Sequence, residues 1–311
     1  MGYAVVLGEA LIDLAEAELD GDVIYRQAIG GAPLNVAVGA ARLGGGVQYA
    51  GTLSTDVLGD RITTFLRGVP VGLDGVKRVA APTTLAVTTF DGAEPTFTFY
   101  GEPPSYALLE PDDVDPALVA GADVVYTGSI CLLREPFRQA ARKAWRIDGP
   151  LRVFDPNVRP TLLAGPDAVA DLRELVEEFF ATADLVKLSA ADAAVLYDGA
   201  GPAAAAERIR GLGARAVVVT CGADGAHVAT GDGAAMLSAP KVDAIDATGA
   251  GDSVMGALVS RLLSGGFPTG LDGWQSTVRF ALAVAGLVCE RRGGAIAMPT
   301  HDEVTARWGE I

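Results

Sequence analysis

Short apolar runs take turns with stretches of helical periodicity along most of this chain, and that alternation limits the fold more than any other feature. Residues 5–7, 47–51, 124–127, 152–155, 185–188 and 216–220 read as strands apolar on both faces, as in a sheet covered on both sides. Between them, residues 33–43, 59–66, 135–146, 167–180, 190–196 and 203–212 carry helical patterns. Strands alternating with helices predict an α/β fold with a doubly wound, mainly parallel sheet. The last third is mainly helical, with one helix after Gly251, a second over about 274–290 and a short cap at 299–304.

Two segments break the alternation. Residues 22–28 read as a strand outside the main series. Residues 84–90 and 96–100 are β-branched and aromatic, and the Asp91-Gly92 step between them is a hairpin signal. These pieces predict a small second sheet, a lid from about 14–29 and 83–103 inserted in a single domain of 1–311; the alternative is an extension of the main sheet. A lid of this kind closes on a substrate and excludes water.

The densest chemistry lies in Asp246-Ala247-Thr248-Gly249-Ala250-Gly251-Asp252. Glycines let backbone N–H groups come close to a ligand. A helix starting there adds unpaired donors and the positive end of its dipole. The result is an anion cradle, Gly249-Ala250-Gly251, with a carboxylate, Asp252, in its mouth. Phosphoryl transfer to a hydroxyl needs that pair: donors for the charge and a base for the proton. The alternative role for Asp252 is a helix N-cap. No Gly-Lys-Ser/Thr occurs, so this is not a Walker loop.

Three further constellations follow predicted strands. Asp13, after Gly8-Glu9-Ala10-Leu11-Ile12, lies beyond the first strand, where ligands gather in open α/β sheets. Gly30 and Gly31 precede Pro33, which suits a first helical turn, and Asn35 projects from that turn. Asp13, Gly30, Gly31 and Asn35 together form a candidate polyol site, since carboxylate and amide groups bond several hydroxyls at once. In Asp155-Pro156-Asn157-Val158-Arg159-Pro160, Asp155, Asn157 and Arg159 present polar ends at the sheet edge; an Asx-turn with a surface ion pair is the plainer reading. Thr220, Gly222 and Gly225 form a tight turn into a hairpin.

The net charge of −15 argues against a nucleic-acid or anionic membrane partner. Cys131, Cys221 and Cys289 are scattered and show no metal-binding spacing, as expected of free thiols in a reducing compartment. With no signal-like start and no membrane-length apolar run, the expected location is cytoplasmic.

Taken together, these blocks resemble the ribokinase-type (PfkB) family of carbohydrate kinases, over essentially the whole chain and in the family's order. The resemblance implies an αβα sandwich with a β lid, ATP as phosphoryl donor and Mg²⁺ as its companion. It makes Asp252 the catalytic base and the N–H groups from Thr248 to Asp252 the anion hole. Asp13, Gly31 and Asn35 would bind sugar hydroxyls, and Thr220, Gly222 and Gly225 would lie along the nucleotide. Many members carry Asn-x-x-Glu where this chain has Ser189-Ala190-Ala191-Asp192. Asp192 is therefore the candidate Mg²⁺ residue, with Lys187 and Ser189 beside the nucleotide. Asp246 matches a position that in some members helps bind K⁺. The blocks at 31–37 and 155–159, and the hairpin ending at Tyr100, look most like bacterial fructokinases, which implies D-fructose phosphorylated at O6 and makes Tyr100, Asp155, Asn157 and Arg159 candidate sugar-binding residues. Arg159 leaves 2-keto-3-deoxygluconate open, because arginine pairs with carboxylates; ribose is third. A homodimer through the lid is also implied. Outside catalysis, a sugar- or nucleotide-binding sensor stays open. A dinucleotide-dependent dehydrogenase does not, because no Gly-x-Gly-x-x-Gly follows the first strand.

Overall fold

A computed structural model describes residues 2–91, 94–163, 165–309 and 311. The chain begins with β1 (Tyr3–Leu7) and passes directly into β2 (Leu11–Leu19), β3 (Asp22–Gly30) and helix α1 (Ala32–Arg42). β4 (Gly46–Ser54), α2 (Val57–Gly68) and β5 (Val71–Val79) follow, then the hairpin β6 (Leu85–Asp91) and β7 (Glu94–Tyr100). The next units are α3 (Pro116–Ala120), β8 (Val124–Gly128), α4 (Phe137–Trp145), β9 (Leu151–Asp155), α5 (Pro166–Phe180), β10 (Leu185–Ser189), α6 (Ala190–Leu196) and α7 (Pro202–Leu212). β11 (Ala216–Thr220), the hairpin β12 (Ala226–Thr230) and β13 (Gly233–Leu237), and helices α8 (Ala250–Gly265), α9 (Gly270–Cys289) and α10 (His301–Trp308) complete it.

Nine strands form the main sheet in the order β13-β12-β11-β10-β9-β8-β1-β4-β5. All neighbours are parallel except β12 and β13, which close one edge antiparallel. Strand residues alternate between two cores. Ala4, Val6, Val124 and Tyr126 pack toward α1, α8 and α9, while Val5, Leu7, Val125, Val186 and Leu188 pack toward α4, α5, α6 and α7. Burial on both sides explains why these strands are apolar without a break. Each fully buried valine or leucine contributes about 1.5–3 kcal/mol relative to exposure. The six predicted strands of the main series and the helices between them are all present.

The strand order reverses beside β1. From there the chain builds outward through β4 and β5, then returns to β8 and builds the other way. Ligands of open α/β sheets bind at such a switch point, beyond the carboxyl ends of the strands.

A second sheet, β3-β2-β6-β7, stands above that edge. It has four strands where sequence suggested three. β2 went unread because Leu-Ile-Asp-Leu-Ala-Glu-Ala-Glu-Leu is rich in helix-favouring residues that are poor in strands. β5 went unread because it is an edge strand, interrupted by Gly72, Asp74 and Gly75. The expected turn of the second-sheet hairpin, at 92–93, lies outside the described residues. The C-terminal cap is a full helix, α10, with a reciprocal Thr300–Glu303 capping box.

Candidate active site

Asp252 occupies the first turn of α8. The residue that caps this helix is Gly249, at φ 80°, and no side chain bonds the helix N-terminus. Asp252 is therefore not an N-cap. Its oxygens turn away from the helix: Oδ2 accepts from Asn35 Nδ2 at 2.8 Å, and Oδ1 accepts from Asn157 Nδ2 at 3.1 Å. The group is 8 % exposed. Residues 35, 157 and 252 are thus brought to one point from α1, the loop after β9 and α8.

The N–H groups of a helix's first turn lack intrahelical partners. Not all of the expected anion hole is free, however. The Thr248 N–H donates to Asp246 Oδ1 at 2.9 Å, and the Ala250 N–H donates to the Ala247 carbonyl at 3.1 Å. The cradle narrows to the amides of Gly249, Gly251 and Asp252. Behind it lies Lys187, 3 % exposed, with Nζ 2.8 Å from Asp155 Oδ2. A β-carbon at Gly251 would stand 3.1 Å from that Nζ, so glycine lets a buried ammonium sit directly beneath the cradle. Burial works against the Lys187 charge, but the adjacent Asp155 carboxylate, with Asp252 and Asp192 farther off, holds its pKa above the ordinary lysine value.

Asp155 differs from its sequence reading. It is fully buried and spends Oδ1 on the Asn157 N–H at 3.0 Å and Oδ2 on Lys187. It is an interior counter-charge, not a group offered to a sugar. Burial raises its pKa to about 6 against the pull of Lys187, with Asp192 and Asp252 adding to the rise.

Asp13 follows the carboxyl end of β1 not in a loop but as the third residue of β2, paired with Ala28 and Ala86. Burial, helped by the Asp252 charge and opposed by Arg159, raises its pKa to about 6. Gly30 lies against it: a β-carbon there would fall 1.9 Å from Asp13 Oδ2. Gly31 begins α1 at φ 111°, where a β-carbon would meet the Glu9 carbonyl at 2.4 Å. Both the backbone conformation and the close approach require glycine.

Tyr100 is placed on the wrong face. It pairs with Leu85, which pairs with Ile12, so it shares a face with Ile12 rather than with Asp13. Phe99 pairs with Ala86, the partner of Asp13, and is the aromatic residue that faces the site. In a strand, one position exchanges faces. Phe99, Tyr106, Ile130, Arg134 and Leu162 line a cleft of about 800 Å³ under the small sheet. Arg159 donates from one guanidinium nitrogen to the Asn157 side-chain oxygen and to the Val158 carbonyl, the latter at 3.2 Å.

A second cleft, of about 850 Å³, has Gly251 in its wall. It gathers Ser189, Thr220 and Gly222 as expected, and adds Cys221, His227 and Met236, which sequence reasoning missed. His227 and Met236 are cross-strand partners in the β12–β13 hairpin, a pairing that a hairpin register would have exposed. Burial lowers the His227 pKa. Gly225 does not line this cleft; a β-carbon there would strike the Leu237 carbonyl at 1.9 Å, so it serves hairpin packing.

Asp192 fits a direct metal ligand poorly. Its oxygens accept the N–H groups of Val158 at 3.0 Å, which ties the loop after β9 to α6, and of Ser189 at 2.9 Å; Ser189 Oγ accepts in return from the Asp192 N–H, a capping box at the start of α6. Among the described residues no group of three or more His, Cys, Asp or Glu is arranged to hold a metal ion. Mg²⁺ is compatible with this site only as a companion of bound phosphates, its usual mode in phosphoryl-transfer sites. Asp246 likewise spends its oxygens on the N–H groups of Thr248 and Gly293. Among the described residues no helix is long and apolar enough to cross a membrane.

This geometry has close counterparts. A fructokinase of Klebsiella pneumoniae is 32% identical over 312 residues, spanning 97% of this chain and 98% of its own. The fructokinase of Xylella fastidiosa, solved with bound ATP, superposes with a TM-score of 0.89 at 30% identity, covering 98% of this chain and 97% of that one. The aminoimidazole riboside kinase of Salmonella enterica, solved with aminoimidazole riboside and an ATP analogue, reaches 0.86 at 25% identity over 99% of this chain and all of that one. The model of the pfkB family of carbohydrate kinases matches residues 1–301, nearly the whole chain, and the chain belongs to that family.

Proposed function

We propose that this carbohydrate kinase transfers the γ-phosphoryl group of ATP to O6 of D-fructose. The observation that carries the reading is Asp252: a buried carboxylate in the first turn of a helix, fixed at both oxygens, next to Gly251 in the wall of the second cleft and close enough to Asp13 for their charges to interact. Each of its oxygens keeps a lone pair beyond the amide bond it accepts. One receives the proton of the sugar hydroxyl as that oxygen bonds to phosphorus and the bond to the ADP oxygen breaks. The amides of Gly249, Gly251 and Asp252, backed by Lys187, receive the charge of the moving group. Such transfer is mostly positioning and charge neutralisation, so a carboxylate suffices as base. Mg²⁺, bound with the nucleotide's phosphates, would add to that neutralisation.

Asp13 and the Gly30–Gly31 backbone hold sugar hydroxyls in this reading, with Arg159 and Phe99 nearby. Ser189, Thr220, Gly222, His227 and Met236 take the nucleotide. The fructokinase relatives support fructose. Arg159 favours a second acceptor, 2-keto-3-deoxygluconate, whose carboxylate a guanidinium would meet in pairs of hydrogen bonds. K⁺ would be held at the Asp246 loop by backbone carbonyls with the carboxylate behind them; turnover that rises in KCl over NaCl supports it.

The small sheet acts as a lid, with Asp13 and Phe99 on its inner face. Its outer face exposes Val23 (68%), Tyr25 (47%) and Tyr100 (56%), which supports a homodimer through the lids. Light scattering at twice the 31.8 kDa chain mass is the expected result.

ADP release measured over fructose, ribose, 2-keto-3-deoxygluconate and other sugars tests the function. Fructose should give the highest kcat/KM. Activity confined to the acid sugar would replace fructose, and no ADP with any sugar would leave a binding sensor.

A further inference from the structure

We propose that Asn157 is a positioning residue that aims the Asp252 carboxylate, not a sugar-binding side chain; the inference rests on Asp252 being the base. Asn157 sits at φ 38°, in the left-handed region that asparagine and glycine tolerate and most residues avoid. The loop is pinned there from both sides. Asp155 Oδ1 accepts the Asn157 N–H, and Asp192 Oδ1 accepts the N–H of Val158. Both carboxylates are buried, and Asp155 is itself anchored by Lys187. A strained backbone held by two buried carboxylates points to a side chain whose direction matters.

That direction is toward Asp252. The Asn157 carboxamide is spent at both ends: Nδ2 donates to Asp252 Oδ1, and its oxygen accepts from Arg159. The reversed amide would set oxygen against carboxylate and NH₂ against guanidinium, so the network fixes the orientation. The guanidinium draws charge from the amide oxygen and strengthens the N–H donor at the far end. Asn35 holds the other oxygen, Oδ2. With both oxygens tied, the carboxylate cannot rotate out of line with an incoming hydroxyl, and small misplacements at such a centre are costly. Asn157 is as buried as Asp252, each 8 % exposed, which leaves its amide little surface to offer a sugar.

Asn157→Gly is the direct test, because glycine keeps φ 38° without strain and removes only the amide. Expected is a fall in kcat of about tenfold or more, with KM for D-fructose and for ATP within about threefold. Asn157→Asp, which also tolerates the backbone, sets a second carboxylate against the base and should fall further. In an Asp252→Asn background the glycine change should cost less than about twofold, since residues acting as one unit are not additive. A raised fructose KM with kcat intact would overturn the proposal in favour of sugar contact. An equal loss in both backgrounds would overturn it in favour of a merely structural role. Wild-type enzyme with no kinase activity, or a fully active Asp252→Asn, would bring down the base assignment and this inference with it. An active wild type, an inactive Asp252→Asn and an unaffected Asn157→Gly would sink the inference alone.

Discussion

Around Asp252, four side chains are already tied to a neighbour: Asn35 and Asn157 to Asp252, Arg159 to Asn157, Lys187 to Asp155. In the second cleft, the proposed nucleotide site, Ser189, Thr220, Asp224 and His227 are set among Ala190, Ala191, Pro202, Gly222 and a half-exposed Met236, and most of the exposed wall is apolar. The first region spends buried charge to fix geometry before any ligand arrives. The second offers shape and adaptable apolar surface, which suits a large ligand that brings its own charge. Chemistry is preorganised where a proton and a phosphoryl group move, and looser where binding alone is required.

The contrast can be broken most forcefully at Lys187. Lys187→Met leaves Asp155 buried without its partner, and should lower unfolding free energy by about 3–5 kcal/mol in urea titrations. Lys187→Met with Asp155→Leu should recover much of that stability without restoring activity. A single variant as stable as wild type would show that the network is not under electrostatic tension.

The pH profile comes next. Asp13 and Asp155 have pKa values raised to about 6, so each is ionised above that pH and takes up a proton below it. The ionised forms are the ones that accept hydroxyls or hold Lys187. Activity should therefore fall as pH drops through about 6, rather than near 4 as for ordinary aspartates. A kcat/KM profile flat down to pH 5 would contradict this.

At the nucleotide end, Met236→Ala should raise the ATP KM by a few-fold and leave the fructose KM unchanged, because the surface adapts. A hundredfold loss there would erase the distinction between the two regions. The smallest effect is expected at Tyr100, where alanine should leave both KM values within about twofold while Phe99→Ala raises that for the sugar. The reverse result would mean that the faces of the small sheet are assigned wrongly.

How far the sequence reached follows the same division. Strands buried on both faces announce themselves as apolar runs, and the Gly249-Ala250-Gly251-Asp252 stretch carries its chemistry in consecutive residues. The acceptor side was legible only as a set of polar residues, not as a network. Asp155 ends β9 and Asn157 follows two residues later in the loop, yet one points into the interior and the other to Asp252, and nothing in the local sequence distinguishes them. Tyr100 and Phe99 differ only in strand parity, which depends on the pairing of β7 with β6 and β2. β2 was hidden because its helix-favouring composition is overridden by sheet pairing. His227 and Met236 have no motif at all; a hairpin brings them to the cleft.

The central claim is that the Asp252 carboxylate takes the proton of the acceptor hydroxyl, and that its loss leaves substrate binding intact. Parallel measurement of Mg-ATP affinity and of ADP release with D-fructose on wild type and Asp252→Asn tests it most directly. The account predicts nucleotide affinity within a few-fold and turnover lower by about 10²-fold or more. Turnover preserved in the asparagine variant would contradict it.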